Sequence, residues 1–112
     1  MEGSILARRD RMALDNGMTQ RLLSAFEVLQ ARREAGELAA EDRERALCSI
    51  ACLLARALEH KGKPVFKSGL AVLEGLTVAE IAALCQQWRD FDRTENPALN
   101  LSEQELETVK KN

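Results

Sequence analysis

The sequence has few of the residues that most often carry catalysis. It contains a single histidine and no tyrosine, and aromatic residues make up 4% of its 112 positions. It has no glycine-rich phosphate loop, and its serines stand only where helix caps or turns are expected. No nucleophile can therefore be paired with a base. We expect a protein that is not an enzyme and that needs no cofactor.

Neither a charge surplus nor a long apolar segment is present. Sixteen Lys and Arg against 18 Asp and Glu give a formal charge of -2, which provides no general attraction to nucleic acid or to an anionic membrane. No apolar run approaches the roughly 20 residues of a membrane span, and the N-terminus lacks the pattern of a signal peptide. Three cysteines without a secretion signal indicate free thiols in a reducing compartment. We expect a cytoplasmic protein that binds neither nucleic acid nor membrane.

The cysteines do not form a metal site with the histidine. Cys48 and Cys52 share a helical face, but His60 is turned by roughly 80° from Cys52 and lies about 12 Å further along a helix axis. A tetrahedral site cannot close on these three side chains. We expect no metal, and we expect the thiols, with that of Cys85, to act as small buried hydrophobes.

The abundance of Ala, Leu, Glu and Arg favours helices over sheets. We predict an all-α fold, a small single-domain helical bundle of about four to five helices with no sheet. Residues 1–18 are expected to form a weakly structured N-terminal arm, residues 19–97 the helical core, and residues 98–112 a short C-terminal helix or tail.

Apolar spacing predicts three helices in the first half of the chain. A short one within residues 4–15 stops at Asn16-Gly17, and its arginines belong either to a frayed terminus or to a basic arm. Thr19 is expected to cap the second, which ends at Gly36. Residues 40–61 form the longest helix and the centre of the core.

Beyond Gly62, which suits a helix C-terminal cap, the chain is expected to loop through Val65-Phe66. Phe66 either plugs the core or serves as an exposed anchor for another protein. Ser68 is then expected to cap a short helix that Gly75 breaks.

The best-specified helix runs from Leu76 to Arg93. Thr77 and Glu80 have the spacing of a capping box, in which each side chain accepts a hydrogen bond from the other residue's backbone N–H. Apolar residues recur at steps of three and four to form one stripe. They are Val78, Ile81, Leu84, Cys85, Trp88 and Phe91.

The start of this helix also suggests an alternative function. Gly75-Leu-Thr-Val-Ala-Glu-Ile-Ala-Ala-Leu resembles the first helix of the helix-turn-helix of sigma-factor region four. That motif needs a turn and then a basic recognition helix, whereas Cys85-Gln-Gln-Trp-Arg-Asp-Phe-Asp continues at helical period. A small helical DNA-binding regulator is therefore the alternative to a protein-binding module.

The C-terminal segment repeats the signature of a helix start. Ser102 and Glu105 form a second predicted capping box, and Leu101 is placed to staple to Leu106. The helix that follows is too short to hold alone in water. We therefore predict that it orders only on a neighbouring subunit or a partner.

Four segments of the C-terminal half carry a family resemblance. They are Gly62-Lys-Pro-Val-Phe-Lys-Ser-Gly, Val72-Leu-Glu-Gly-Leu-Thr-Val-Ala-Glu-Ile, Trp88-Arg-Asp-Phe-Asp-Arg-Thr-Glu-Asn-Pro and Leu101-Ser-Glu-Gln-Glu-Leu-Glu-Thr-Val-Lys-Lys-Asn. Together they resemble tail assembly chaperones of long-tailed phages and prophages of Gram-positive bacteria.

The resemblance implies a binding function in the bacterial host cytoplasm. Proteins of this family are small and mostly helical; they keep the tape-measure protein soluble and help tail-tube subunits polymerise around it. The expected partners are therefore the tape-measure protein and tail-tube subunits, with a possible homo-oligomer. Such a task requires an apolar groove for amphipathic helices. The candidate partner-binding residues are Phe66, Trp88, Phe91, Leu101, Leu106 and Val109.

Overall fold

The computed structural model describes residues 10–95. Within them lie four α-helices, α1 Ala25–Leu38, α2 Arg45–Ala57, α3 Gly69–Gly75 and α4 Val78–Glu95. Four short strands accompany them, β1 Arg11–Ala13, β2 Met18–Arg21, β3 Leu58–His60 and β4 Lys63–Pro64. Short 3-10 turns cover Asp15–Gly17 and Asp42–Glu44. The predicted C-terminal segment, with Leu101, Leu106 and Val109, lies outside the described residues.

The prediction of an all-α bundle without a sheet is wrong. The four strands form one antiparallel sheet in the order β1-β2-β3-β4. The predicted helix within residues 4–15 fails over its described part, because Arg11–Ala13 pairs with β2. Asn16 and Gly17 have φ values of 68° and 76° and reverse the chain between the two strands. A hairpin, and not a helix end, is what this Asn-Gly pair specifies.

The long predicted helix over residues 40–61 is also too long. It ends at Ala57, and β3 follows without a break. Lys61 and Gly62 then have φ values of 54° and 81°, which form a two-residue turn into β4. Leu58 is 1% exposed, so it stays in the core although it belongs to a strand. Leu58 continues the helical spacing of buried residues in α2, so the sequence pattern did not show that the chain changes from helix to strand there.

Helix α1 begins five residues later than predicted. Thr19 lies in β2, and Ser24 caps the helix by accepting a hydrogen bond from the Glu27 backbone N–H. Glu27 returns a hydrogen bond to the backbone N–H of Ser24, which completes a capping box. Gly36 lies inside the helix, which ends at Leu38.

Helix α2 is the centre of the core, as predicted, and α1, α3 and α4 all pack against it. Ala51, Cys52 and Leu54 are fully buried. A β-carbon added at Gly69 would lie 2.4 Å from the Cys52 sulfur, so α3 can approach α2 only with glycine at this position.

Helix α4 confirms the predicted cap and most of the predicted stripe. The Thr77 hydroxyl accepts from the Glu80 backbone N–H at 3.1 Å, and the Glu80 carboxylate accepts from the Thr77 N–H at 2.8 Å. Val78 is 65% exposed, and Leu84 is half-buried. The remaining members of the stripe, Ile81, Cys85, Trp88 and Phe91, are buried. Among the described helices, none has the length and apolar character needed to cross a membrane.

Candidate partner-binding groove

A groove with a volume of about 560 Å³ separates the β1–β2 hairpin from the C-terminal half of α4. We call it the hairpin groove. The hairpin supplies one wall and α4 the other. Its apolar lining consists of Met12, Ala13, Leu14, Met18, Leu84 and Phe91. The groove is open to solvent and is large enough for the side chains of a partner segment.

The hairpin wall follows from the alternation of a short antiparallel ladder. Met12 and Gln20 are cross-strand partners, and Gln20 in turn pairs with Leu58, so these three side chains share one face of the sheet. Leu14 N–H donates to the Met18 carbonyl at 2.7 Å and closes the hairpin. Met18 lies two residues before Gln20 on the same strand, so its side chain lies on the same face of the sheet.

Two side chain to backbone hydrogen bonds fix α4 to this face. The indole N–H of Trp88 donates to the Arg21 carbonyl at 2.8 Å, and the Gln20 side-chain amide donates to the Leu84 carbonyl at 3.1 Å. Both donors are buried. The position of α4 against the hairpin, which sets the width of the groove, is therefore fixed by buried hydrogen bonds.

Gln20 has an unmatched acceptor at this junction. Its side chain is fully buried, and its Oε1 has no hydrogen-bond partner among the described residues. Gln20 thus fixes the position of α4 through its amide N–H.

The lining combines adaptable apolar side chains with acidic groups at the margin. Met12 and Met18, two of the three methionines of the protein, are half-buried in the groove. Methionine has three rotatable bonds and fits ligands of different shape. Asp15 on the hairpin and Asp90 on α4 border the groove from opposite walls, and none of the described lining residues is basic. This surface fits a segment with apolar anchors and positively charged flanks.

The opposite face of the sheet is occupied by an ion-pair network. Arg11 Nε lies 2.8 Å from Glu59 Oε1, and Arg21 Nε lies 3.4 Å from Glu59 Oε2. Arg21 also binds both carboxylate oxygens of Glu27. The hydrogen bond from Arg21 lowers the pKa of Glu27 to about 2. This network connects three strands to the start of α1.

A second cleft, of about 780 Å³, is larger but is crossed by paired charges. Glu34 accepts hydrogen bonds from Arg56 at 2.8 Å and from the Gly69 backbone N–H at 2.7 Å. Burial raises the pKa of Glu34 most, but these hydrogen bonds together lower it below its ordinary value. Because the hydrogen bonds of Glu34 to Arg56 and Gly69 fix α3 to α1 and α2, we assign this cleft a structural role.

The three described members of the predicted partner-binding set, Phe66, Trp88 and Phe91, do not form one surface. Trp88 and Phe91 lie on one face of α4 with exposures of 7% and 3%, and of the two only Phe91 lines the hairpin groove. Phe66 is half-buried, lines the second cleft and packs against the core cluster. Leu101, Leu106 and Val109 lie outside the described residues. Their role stays a prediction.

Sequence reasoning missed most of the residues that form the hairpin groove. Met12, Met18, Asp15 and Asp90 were not predicted to act together. The signal that identifies the hairpin members is Asn16-Gly17, since apolar residues at alternate positions on both sides of an Asn-Gly pair predict a hairpin with one apolar face.

The cysteines have an inert environment. Cys48, Cys52 and Cys85 are free and buried. Desolvation, aided by the Glu34 carboxylate, raises the pKa of Cys52 to about 12, and desolvation also raises the pKa of Cys85. The thiolate is the reactive form of cysteine. Among residues 10–95, no cluster of His, Cys, Asp and Glu has the geometry to hold a metal ion.

No protein-family model, curated protein or solved structure matches this chain.

Proposed function

We propose that the protein is a phage tail assembly chaperone that binds the tape-measure protein in the bacterial host cytoplasm. We further propose that the hairpin groove receives an amphipathic helix of that protein. The observation that carries this proposal is the methionine-lined groove with acidic residues on both walls. The identity of the partner comes from the family resemblance of the sequence. The reaction is binding and requires no catalytic residue.

The chemistry of the groove suggests how binding works. Side chains at spacings of three and four on one face of a partner helix insert between the hairpin and α4. Met12 and Met18 change rotamer to fit different anchors, so one groove accepts many turns of a long helix with an irregular sequence. Asp15 and Asp90 favour helices with Lys or Arg beside the apolar anchors.

A groove of this size covers only a short part of a long partner. Several copies of the chaperone are then needed along one tape-measure protein, and each contributes a modest affinity. Covering the apolar stripe keeps the tape-measure protein from aggregating until tail-tube subunits replace the chaperone. Weak contacts repeated along one chain suit a partner that must later be released.

The alternative of a DNA-binding regulator has less support. Helix α4 runs to Glu95 without the turn that a helix-turn-helix requires after its first helix. Its C-terminal half presents Asp90, and the chain has a formal charge of -2, which offers little attraction to phosphates.

Co-expression tests the proposal. The tape-measure protein from the same gene neighbourhood is produced with the wild-type chain, with a Met12→Glu/Met18→Glu variant, or with the control Val78→Glu. Val78 is exposed on α4 but does not line the groove. Wild type and control should keep the tape-measure protein soluble and co-purify with it, whereas the groove variant should do neither.

Thermal midpoints show whether the groove variant remains folded. Equal tape-measure solubility with the wild type and a folded groove variant would reject the groove as the binding site. No solubilisation or co-purification by the wild type would reject the chaperone function.

A further inference from the structure

The outward surface of α1 has an unusual composition. Phe26 and Leu29 are 60% and 47% exposed, and they lie on the side of the helix opposite the buried Ala31 and Ala35. Single exposed apolar residues are common on protein surfaces. Here two large ones are adjacent at helical spacing.

Two cations follow the apolar pair on the same helix. Arg32 and Arg33 are exposed, and neither forms an ion pair with any described residue. We call Phe26, Leu29, Arg32 and Arg33 the α1 outer face. It presents apolar anchors with positive charge one turn away, the chemistry that the hairpin groove is suited to receive.

The hairpin groove complements this face in both polarity and charge. Its lining contains six apolar side chains, and the exposed Asp15 and Asp90 stand on opposite walls. Asp15 forms no ion pair with a described residue. The Asp90 carboxylate lies 3.7 Å from Arg93 and accepts a hydrogen bond from Gln86 Nε2 at 2.9 Å, and an incoming arginine can replace both exposed contacts. The α1 outer face and the hairpin groove share no residue, so one molecule offers both at once.

We propose that the α1 outer face of one copy docks in the hairpin groove of a second copy. Such a contact joins two different surfaces, so a pair keeps one free groove on one molecule and one free face on the other. Association then continues into a ring or an open chain. The occupant of the groove is the first turns of α1, with Phe26 and Leu29 as anchors and the two arginines beside the acidic margins.

If the groove also receives the tape-measure helix, as in the proposed function, self-association and partner binding exclude each other. The associated form is then an inactive reservoir of the protein, in which each docked α1 outer face covers a hairpin groove. The tape-measure protein releases single copies from it by mass action. This competition rests on the proposed function, whereas self-association does not.

Sedimentation velocity over a concentration series tests self-association with two variants at exposed positions. The face variant, Phe26→Asp/Leu29→Asp, keeps its groove, and the groove variant, Asp15→Lys/Asp90→Lys, keeps its face. Each alone should remain monomeric at concentrations at least tenfold above those at which the wild type associates. An equimolar mixture should give a one-to-one dimer that does not grow, because only one productive contact remains. The control Val78→Asp should associate as the wild type does.

Several results would overturn the proposal. They are a wild type that stays monomeric at millimolar concentration, variants that associate normally, or a mixture of the two variants that stays monomeric.

The face variant also separates this proposal from the proposed function. Its intact groove should bind the tape-measure protein at least as tightly as the wild type does. If the wild type associates as predicted but neither protein binds the tape-measure protein, the proposed function fails while self-association stands.

Discussion

At the scale of single residues, buried hydrogen-bond donors and acceptors decide how α4 sits on the sheet more than its apolar stripe does. The spacing of Trp88 predicts a buried ring, and the ring is 7% exposed. No spacing rule predicts that its indole N–H donates to the Arg21 carbonyl 67 residues away. Burying an indole requires a partner for its N–H, and the partner here belongs to a strand that composition did not predict.

The pKa of Glu27 gives a prediction at this scale. Because Arg21 lowers that pKa from 4.5 to about 2, the pair stabilises the fold fully above pH 4.5 and loses this effect as the pH falls to about 2. Glu27→Gln should lower the free energy of unfolding by about 1 to 2 kcal/mol at pH 7, after allowing for solvent screening of a partly exposed pair. The difference from wild type should shrink as the pH falls through about 2 and vanish below that value.

Urea denaturation at several pH values measures this difference. Glu74→Gln, at an exposed carboxylate of α3 without a described ion pair, is the control and should change little at any pH. A loss in Glu27→Gln that is equally large at pH 2 and pH 7 would show that the lost charge is not its cause.

At the scale of elements, the sequence predicts helix starts well, because their signals are local. It predicts strands poorly, because their pairing partners are distant in the chain. The caps at Ser68 and Thr77 are satisfied as predicted, because all their atoms lie within three residues. The strands are two to four residues long and include Arg11, Gln20 and Lys63, so they have little β-propensity of their own. They form because β2 and β3 pair across 37 or more residues of chain and cover α4.

The hairpin turn gives a prediction for this scale. Gly17 has a φ of 76°, and its β-carbon position is 3.5 Å from the His60 ring. Gly17→Ala should therefore lower the free energy of unfolding by about 1 to 2 kcal/mol, because a left-handed conformation disfavours any β-carbon. Since the same turn holds one wall of the groove, affinity for the tape-measure protein should fall as well.

Gly36→Ala is the matched control. Gly36 lies inside α1 with no atom within 4 Å of its β-carbon position. Alanine there should stabilise the protein by about 0.4 to 1 kcal/mol, because it restricts the unfolded chain and suits a helix. If both variants are destabilised to the same extent in denaturant titrations, the turn geometry is not the reason for the loss at Gly17.

At the scale of the whole molecule, the two faces of the small sheet differ in how far the chain itself occupies them. One face carries the Arg11, Glu59 and Arg21 network and is satisfied within the chain. The other face packs on α4 but leaves the methionine-lined groove open to solvent. Fold class could not be derived from composition because a helix-rich chain still needed a sheet to cover α4. The groove could not be derived because its walls are distant in sequence.

The central claim is that the hairpin groove binds an amphipathic helix of the tape-measure protein. Methyl NMR of protein labelled with ¹³C at its methionine methyl groups tests it directly, with Met12→Leu and Met18→Leu variants assigning the two groove signals. Titration with an amphipathic tape-measure segment should shift both signals to saturation, and a segment whose apolar anchors are replaced by serine should shift neither. A segment that binds by calorimetry while both signals remain unmoved would contradict the account.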